Sequence, residues 1–316
     1  MYQIGVDIGG TNIKIGLVDE QLEIVARSSI PFPQAAGEVV ADKLAEAIRA
    51  LLAEAGVTEQ QLESIGIVIP GSIDPSGKTI IDAYNLGFHG VAFQPMMAGR
   101  FPKTPVYMAN DANGAALAEL YKGAFVGCKT AVLFTLGTGL GGGIILNGRM
   151  FNGGLNQGVE LGHAYLVDGG EACTCGNHGC MEAYCSATGL ARDGRTAMLA
   201  HPESMLAKMS GGDETRVDAR LVIDCAKAGD ETAKAVFDAY LGRLSSACAS
   251  IFNILDPEVL AIGGGVCGAG DFLFEPLQQL VTDKCFYKTR GKLVPAVMGN
   301  DAGVIGAAML RRDAEQ

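Results

Sequence analysis

Two similar stretches, one near the start of each half, most constrain what this chain can fold into. Residues 2–8 alternate apolar side chains and end at Gly9-Gly10, and residues 13–17 then resume the alternation. Residues 130–148 repeat this order of apolar strand, glycine turn and apolar strand. Such alternation predicts strands, and the glycine turns predict hairpins. The repetition predicts an α/β protein of two duplicated domains, closely packed with a cleft between them.

Further helices and strands are predicted between these hairpins. Apolar residues at helical spacing predict a helix over 38–55 that stops at Gly56. The continuous apolar run 65–70 predicts a strand buried on both faces. The remaining predictions are a strand over 258–266 and helices after Asp111, over 231–253 and near the end of the chain.

The length of 316 residues favours two domains, because single hydrophobic cores stop growing at roughly 250–300 residues. We expect a small N-terminal domain and a larger one that carries a cysteine-rich loop. The small domain comprises residues 1–113 and a C-terminal helix over 301–316. The larger domain comprises residues 114–300.

Charge and cysteine content exclude several classes of protein. A net charge of −11 argues against a nucleic-acid surface or an anionic membrane as partner. The first ten residues do not resemble a signal peptide, and no apolar run approaches the ~20 residues of a membrane span. We therefore expect a cytoplasmic protein. Nine cysteines, an odd number, in a reducing compartment favour metal binding over a disulfide framework.

Three glycine-rich stretches resemble phosphate-binding motifs. Residues 71–79 miss the P-loop spacing by one residue and are interpreted as a turn. Residues 137–142 match G-x-G-x-x-G, but a strand pattern follows them where a dinucleotide site needs a helix. Residues 263–268 also match and do follow a strand. A dehydrogenase that binds a nicotinamide cofactor is therefore one alternative.

A single nucleotide served by all three glycine turns explains them more economically. Turns without Cβ atoms let backbone N–H groups approach phosphate, and an aspartate at a strand end can hold hydrated Mg²⁺. The alternative is that these are ordinary hairpin turns. The candidate nucleotide-binding residues are Asp7, Gly9, Gly10, Thr11, Asn12 and Lys14 in the first turn, Gly137, Thr138 and Gly139 in the second, and Gly263, Gly264 and Gly265 as a bed for the base and ribose.

Cys173, Cys175 and Cys180 form C-x-C-x₄-C in a glycine-rich loop. Three thiolates and one imidazole complete a tetrahedral zinc site, and a closed site of this kind is structural. His163 and His178 compete for the fourth position, and His163 is favoured because His178 would have to point inward between two close ligands. The alternatives are three small buried residues, or a redox switch formed by the same thiols.

Glu160 and Glu182 flank these ligands in sequence. A loop held by zinc would fix the positions of both carboxylates, and each can accept hydrogen bonds from vicinal hydroxyls.

With these residues collected, the chain resembles the ROK family of bacterial sugar kinases and repressors, within the hexokinase/actin-like superfamily. The most specific segments are 159–163, "VELGH", and 173–182, "CTCGNHGCME". "DIGGTNIK" is similar to the family's phosphate-1 motif and "LGTGLGGG" to its phosphate-2 motif. "PGSID" and "NDANGAALAE" match as well. The resemblance implies an actin-like, ribonuclease H-like fold whose two α/β domains hold a sugar between them and ATP across the cleft.

The resemblance also implies roles for individual residues. Asp111 would be the catalytic base, accepting a proton from a primary hydroxyl, although an acid at the start of a helix can instead be only an N-cap. His163 and the three cysteines would bind zinc, with ATP and Mg²⁺ as the other small molecules. The implied sugar contacts are Gly71, Asn85, Asn110, Asp111, Glu160, His163 and Glu182.

The expected activity is ATP-dependent phosphorylation of a hexose at its 6-hydroxyl, with glucose as the substrate and a homodimer as the assembly. Other substrates stay open: fructose, mannose, allose, N-acetylglucosamine and N-acetylmannosamine. Phe88 stands where family members often carry a tryptophan, and the chain contains no tryptophan. A non-catalytic sugar-sensing regulator is disfavoured, since the chain begins directly at its phosphate-1 strand and is acidic.

Overall fold

The computed structural model describes residues 1–155 and 157–315, and two compact units make up the chain. Unit 1 consists of Met1–Lys129, Gly143–Val159 and Val297–Gln316; unit 2 consists of Thr130–Gly142 and Glu160–Ala296. Gln316, the last residue of the predicted segment 301–316, lies outside the described residues. The predicted domain boundaries stay a prediction.

Both units contain strands and helices. The strands are β1 (Tyr2–Ile8), β2 (Asn12–Val18), β3 (Ile24–Pro31), β4 (Leu62–Ile69), β5 (Ser72–Ile73), β6 (Ile80–Ala83), β7 (Phe88–Val91), β8 (Val106–Asn110), β9 (Ala131–Leu136), β10 (Leu140–Leu146), β11 (Arg149–Met150), β12 (Val259–Gly263) and β13 (Lys292–Pro295). The helices are α1 (Gly37–Ala55), α2 (Phe93–Arg100), α3 (Asp111–Lys122), α4 (Met181–Cys185), α5 (Ala187–Ala200), α6 (Met205–Ser210), α7 (Ala219–Lys227), α8 (Glu231–Leu255), α9 (Asp271–Lys284) and α10 (Ala302–Ala314).

These elements confirm the pattern read from the sequence. Both glycine hairpins are present, as β1–β2 and as the β9 and β10 strands around Gly137–Gly139. The first predicted helix is α1, and it ends at Gly56, which adopts the left-handed conformation with φ of 68°. Within residues 71–79, β5 is followed by a turn in which Asp74 accepts the backbone N–H groups of Lys78 and Thr79.

The main sheet of unit 1 has the strand order β3-β2-β1-β4-β8. β1, β2 and β3 pair antiparallel, whereas β1, β4 and β8 run parallel. The second large sheet has the order β11-β10-β9-β12-β13, in which β9, β12 and β13 are parallel. Each sheet thus places a hairpin at one edge and parallel strands at the other, which is the duplication that the sequence predicts.

The two faces of the unit 1 sheet carry different residues because side chains alternate along a strand. Ile4, Val6 and Ile8 of β1 lie in the same buried cluster as Val40 and Leu44 of α1. The opposite face packs against α10.

Glycines allow α10 to approach that opposite face. Gly5, Gly16 and Gly66 form a row across β2, β1 and β4, since Gly5 is in register with both others. A Cβ atom at Gly5 would overlap the carbonyl of Val304, and one at Gly66 the carbonyl of Ala307. The interpretation of the glycines as turn residues therefore covers only part of them, because this row serves close packing of a helix on strands.

Unit 2 is organised around α8, which packs against α5, α7 and α9. β9 and β12 are paired parallel, so the ends of these strands lie at one edge of the sheet. Among all described residues, no helix is both long and apolar enough to span a membrane.

Candidate active site

The parallel strands of unit 1 bring several predicted residues to one edge of the sheet. β1 ends beside Asp7, β4 is followed by Gly71, and β8 ends at Asn110, directly before Asp111. The carboxyl ends of parallel strands are where α/β proteins place ligands. Asp7 and Asp111 lie close enough for the Asp7 carboxylate to act on the protonation of Asp111.

Asn110 directly precedes α3 and connects this helix to the segment after β4. Its Oδ1 accepts the backbone N–H groups of Ala112 at 2.8 Å and Asn113 at 3.3 Å, and its Nδ2 donates to the carbonyl of Gly71 at 3.1 Å. The N-cap of α3 is therefore Asn110, and the alternative that Asp111 only caps this helix is wrong. Gly71 has φ of 118°, where a side chain would be strained and would overlap the carbonyl of Asp82.

Asp111 is half-buried at the first position of α3. Burial raises the pKa of its carboxyl, and the nearby Asp7 carboxylate raises it further, whereas a hydrogen bond from the backbone N–H of Ala112 acts in the opposite direction. A carboxylate that holds a proton more tightly than usual is a better base for a hydroxyl proton.

The first glycine turn is held mainly by the strands on either side of it. The N–H of Gly9 donates to the carbonyl of Asn12 at 2.9 Å. Asp7 and Lys14 are register partners, with Lys14 Nζ 3.5 Å from Asp7 Oδ2. The structure thus pairs the residue predicted for Mg²⁺ with the residue predicted for phosphate.

Residues outside this hairpin also approach the turn. Gln34 Nε2 donates to the carbonyl of Gly10 at 3.1 Å. A Cβ atom at Gly10 would lie 3.4 Å from the carbonyl oxygen of Asn85. Thr11 and Asn85 are exposed, so their side chains are accessible to a ligand. Gln34 was missed by the sequence analysis, since nothing in its local pattern marks it.

The second and third glycine turns lie next to each other in unit 2. Gly264 has φ of 94°, and a Cβ atom there would overlap the backbone of Leu136, the last residue before Gly137. The N–H of Gly137 donates to the carbonyl of Gly139 at 3.0 Å. A 3₁₀ turn over Gly265–Ala269, rather than a long helix, follows β12 directly. This arrangement does not fit a dinucleotide fingerprint, which opens a helix at its last glycine.

The three predicted cysteines gather with His163, not with His178. Their ligand atoms all lie within 4.8 Å of one another. Cys175 Sγ and Cys180 Sγ are 3.7 Å apart, and Cys173 Sγ is 3.6 Å from His163 Nδ1. Zn–S bonds of about 2.3 Å and a Zn–N bond of about 2.0–2.1 Å in a tetrahedron separate two sulfurs by about 3.8 Å, and sulfur from nitrogen by about 3.6 Å. The group therefore fits a closed, structural zinc ion.

The chemistry of these thiols also suits a cation. Burial raises the pKa of the Cys173 thiol. Burial, together with hydrogen bonds to Cys173 and Cys175, raises the pKa of Cys180 to about 12. A hydrogen bond from the backbone N–H of Asn177 lowers the pKa of Cys175. Three crowded thiolates require a positive charge between them, which zinc supplies.

Glu182 follows the last of these cysteines by two residues and makes contacts on two sides. Its Oε1 accepts the Thr174 hydroxyl at 2.6 Å, and its Oε2 accepts the backbone N–H of Leu140 at 3.0 Å. Glu160 is exposed and directly precedes the 3₁₀ turn Leu161–His163. Thr174 was missed by the sequence analysis, because its partner is fixed only by the folded loop.

The model of the ROK family matches residues 3–314. The chain belongs to the ROK family. A glucokinase from Halalkalibacterium halodurans is 36% identical to it over 324 residues, covering 99% of this chain and 96% of its own.

Two solved structures of the ROK family have the same fold. The ROK glucokinase from Streptomyces griseus, solved with glucose and AMPPNP, is 30% identical with a TM-score of 0.81, covering 99% of this chain and 100% of its own. The ROK hexokinase from Thermus thermophilus is 33% identical with a TM-score of 0.85, covering 100% and 99%. The predicted hexokinase-like fold of the actin-like superfamily is thereby confirmed.

Proposed function

We propose that this ROK-family chain transfers the γ-phosphoryl group of ATP to the 6-hydroxyl of glucose. The observation that carries the proposal is Asp111, a half-buried carboxyl at the sheet edge whose pKa is raised and whose helix is capped by its neighbour. The similarity to glucokinases over almost the whole chain supports the same reaction.

In the proposed mechanism, Asp111 accepts the proton of the sugar 6-hydroxyl. The oxygen of that hydroxyl forms a bond to the γ-phosphorus, and the bond to the β–γ bridging oxygen breaks as ADP leaves. Phosphoryl transfer requires chiefly alignment of these atoms and stabilisation of negative charge. Asp7 would hold a hydrated Mg²⁺, which would supply part of that charge stabilisation.

The remaining residues are proposed to bind the two substrates. Glu160 and Glu182 accept hydrogen bonds from vicinal sugar hydroxyls, and loss of one would leave a hydroxyl unpaired in the site. The further proposed sugar contacts are Gly71, Asn85, Asn110 and His163. The proposed nucleotide contacts are Gly9, Gly10, Thr11, Asn12, Lys14, Gly137, Thr138, Gly139, Gly263, Gly264 and Gly265.

We also propose a cytoplasmic homodimer. None of the nine cysteines, all of which lie among the described residues, forms a disulfide bond, which suits a reducing compartment. Sedimentation velocity on the purified protein tests the dimer, and a single species with the mass of one chain would contradict it.

The test of the reaction is ADP release from ATP and Mg²⁺ with a panel of hexoses and N-acetylhexosamines. Glucose is expected to stimulate release most strongly. Stronger stimulation by N-acetylglucosamine or mannose would change the substrate and keep the kinase. The absence of stimulation by every sugar would contradict the kinase itself.

A further inference from the structure

The second glycine turn, Gly137–Leu140, is the proposed nucleotide clamp of unit 2, and one short segment of the described chain makes three hydrogen bonds to it. The N–H of Ala187 donates to the carbonyl of Gly137 at 2.9 Å. Thr188 Oγ1 donates to the carbonyl of Thr138 at 2.7 Å. The third bond runs from the N–H of Leu140 to the Glu182 carboxylate. Three successive parts of the turn are therefore bound to residues 182–188.

This supporting segment starts at the cysteine cluster. Cys180 is fully buried, and α4 begins at the next residue. Glu182 is in addition held by Thr174, which lies between the first two cysteines. The same carboxylate group thus touches the metal loop through Oε1 and the glycine turn through Oε2. A shift of the loop must move Glu182, the turn, or both.

We propose that Thr174 and Thr188 are positioning residues, through which the zinc loop and the start of α5 set the glycine turn for the phosphates of ATP. Thr174 acts through Glu182, and Thr188 acts on the turn directly. The inference rests on the proposed nucleotide role of Gly137–Gly139. The cysteine cluster thus stabilises its own loop and also holds the phosphate-binding turn in place before ATP binds.

The geometry of the turn explains why such support is needed. A Cβ atom at Gly139 would overlap Glu182 Oε2, so the turn and the carboxylate are in direct contact. Glycine residues lose more conformational freedom on ordering than others do. Without these hydrogen bonds, the turn would become ordered only when the nucleotide binds. The conformational entropy lost in that ordering would weaken nucleotide binding.

The two threonines make different predictions. Thr188→Val removes only the bond to Thr138, so the Kd for AMPPNP and the KM for ATP should rise about three- to tenfold, as expected for loss of one hydrogen bond. The KM for glucose should stay unchanged. Thr174→Val frees Glu182, a proposed sugar contact, so the constants for ATP and glucose should both rise.

Matched variants separate positioning from general damage. Thr174→Ser and Thr188→Ser keep the hydroxyl and should restore the wild-type constants. Thr196→Val is the control on α5, because its hydroxyl donates at 3.2 Å to a carbonyl of the same helix, that of Arg192, and to neither the turn nor the loop. All variants should retain zinc, measured as metal content of the purified protein.

Binding linkage gives a readout that is independent of turnover. If the loop and the turn are coupled, AMPPNP must raise the affinity of the wild type for zinc, and raise it less in Thr174→Val. Calorimetric titration with AMPPNP and equilibrium competition for zinc against a chelating dye are measured on the same samples.

The outcomes distinguish this inference from the proposed function. If the wild type phosphorylates glucose while both valine variants keep their AMPPNP and ATP constants within twofold, the positioning role is overturned and the kinase stands. An equal affinity for zinc with and without AMPPNP in the wild type would also overturn the coupling. A wild type that binds no AMPPNP would overturn the proposed function together with this inference.

Discussion

The glycine turns of the two hairpins, Gly9-Gly10 in unit 1 and Gly137–Leu140 in unit 2, have nearly the same local sequence pattern but are held in different ways. In unit 1, Gly9 and Gly10 are fixed by the pairing of β1 with β2, which places Asp7 opposite Lys14. In unit 2, Gly137–Leu140 is held by hydrogen bonds to a segment that lies more than 40 residues later and follows the cysteine cluster. The first turn is therefore held mainly by its own hairpin, with one further hydrogen bond from Gln34, whereas the second depends on a segment that follows a metal-binding loop. The variants below test this difference, in order of decreasing effect.

The largest effect is expected from Asp111→Asn in unit 1. Loss of the base should lower kcat by about 10²- to 10⁴-fold, since this is the usual contribution of general base catalysis. The fold should persist, because the helix cap is Asn110. Glucose-dependent ADP release measures the loss. Asp19→Asn is the control, as Asp19 is engaged in a separate turn with the N–H groups of Gln21 and Glu23.

The same variant should be more stable than the wild type at neutral pH. Burial raises the pKa of Asp111 in the folded state, so the unfolded chain loses this proton at lower pH. The folded protein thus binds more protons, and the free energy of unfolding falls as pH rises through this window. Asparagine removes that cost. Thermal unfolding at neutral pH and below pH ~3.9, where the difference should vanish, measures it. A lower melting temperature at neutral pH would contradict it.

Loss of the zinc ligand Cys180 should affect the two turns unequally. Cys180→Ala should abolish zinc retention and raise amide hydrogen exchange at Gly137–Leu140 and in the cysteine loop. Exchange at residues 7–14 should stay at its wild-type level. Metal analysis and hydrogen-exchange mass spectrometry measure both quantities. Cys128→Ala, outside the cluster, is the control. An equal increase of hydrogen exchange at both turns would show that the first turn also depends on the metal-binding loop.

A buried carboxylate in unit 1 should have a smaller effect that leaves unit 2 unchanged. Glu119 is 1% exposed and accepts the backbone N–H groups of Ala124, Val297 and Met298. Glu119→Gln turns an NH₂ group toward one of these donors, and should lower the free energy of unfolding by about 1–3 kcal/mol. Urea denaturation measures the change. Zinc content should not fall, and exposed Glu46→Gln should change neither quantity.

The smallest effect concerns the pH dependence of kcat/KM. Asp111 must be deprotonated to act, so activity should fall on the acid side at a pH above the ordinary aspartate value of ~3.9. Asp7→Asn removes a like charge that contributes to the raised pKa of Asp111. The acid limb should then move to lower pH, although burial, the larger cause, keeps it above the ordinary value. A limb that stays in place in Asp7→Asn would show that Asp7 does not act on the base.

Much of the fold could be predicted from short-range pattern. Strand alternation, helical spacing and the stop at Gly56 located both hairpins and the main helices. The row formed by Gly5, Gly16 and Gly66 was not recognised, because the sequence does not distinguish a glycine that lets α10 approach the sheet from one that forms a turn. Only the register of the three strands separates these two roles.

The candidate site was predictable to a similar depth. C-x-C-x₄-C fixes three ligands by spacing alone, and His163 was favoured over His178 by loop geometry. The distinction between Asn110 and Asp111 as the helix cap lay beyond the sequence, since both are good caps and the start of α3 differs by one residue between them. The contacts of Thr174, Thr188 and Gln34 lay beyond it as well.

The sequence by itself determined the periods, the turns and the metal-ligand spacing of this protein, because each is a property of neighbouring residues. The tertiary structure alone decided that α10 lies against a row of glycines, that burial and Asp7 raise the pKa of Asp111, and that Glu182 joins the cysteine loop to the second turn. These depend on distances between residues far apart in the chain. Such distances are set by how whole strands and helices pack, which no local pattern specifies.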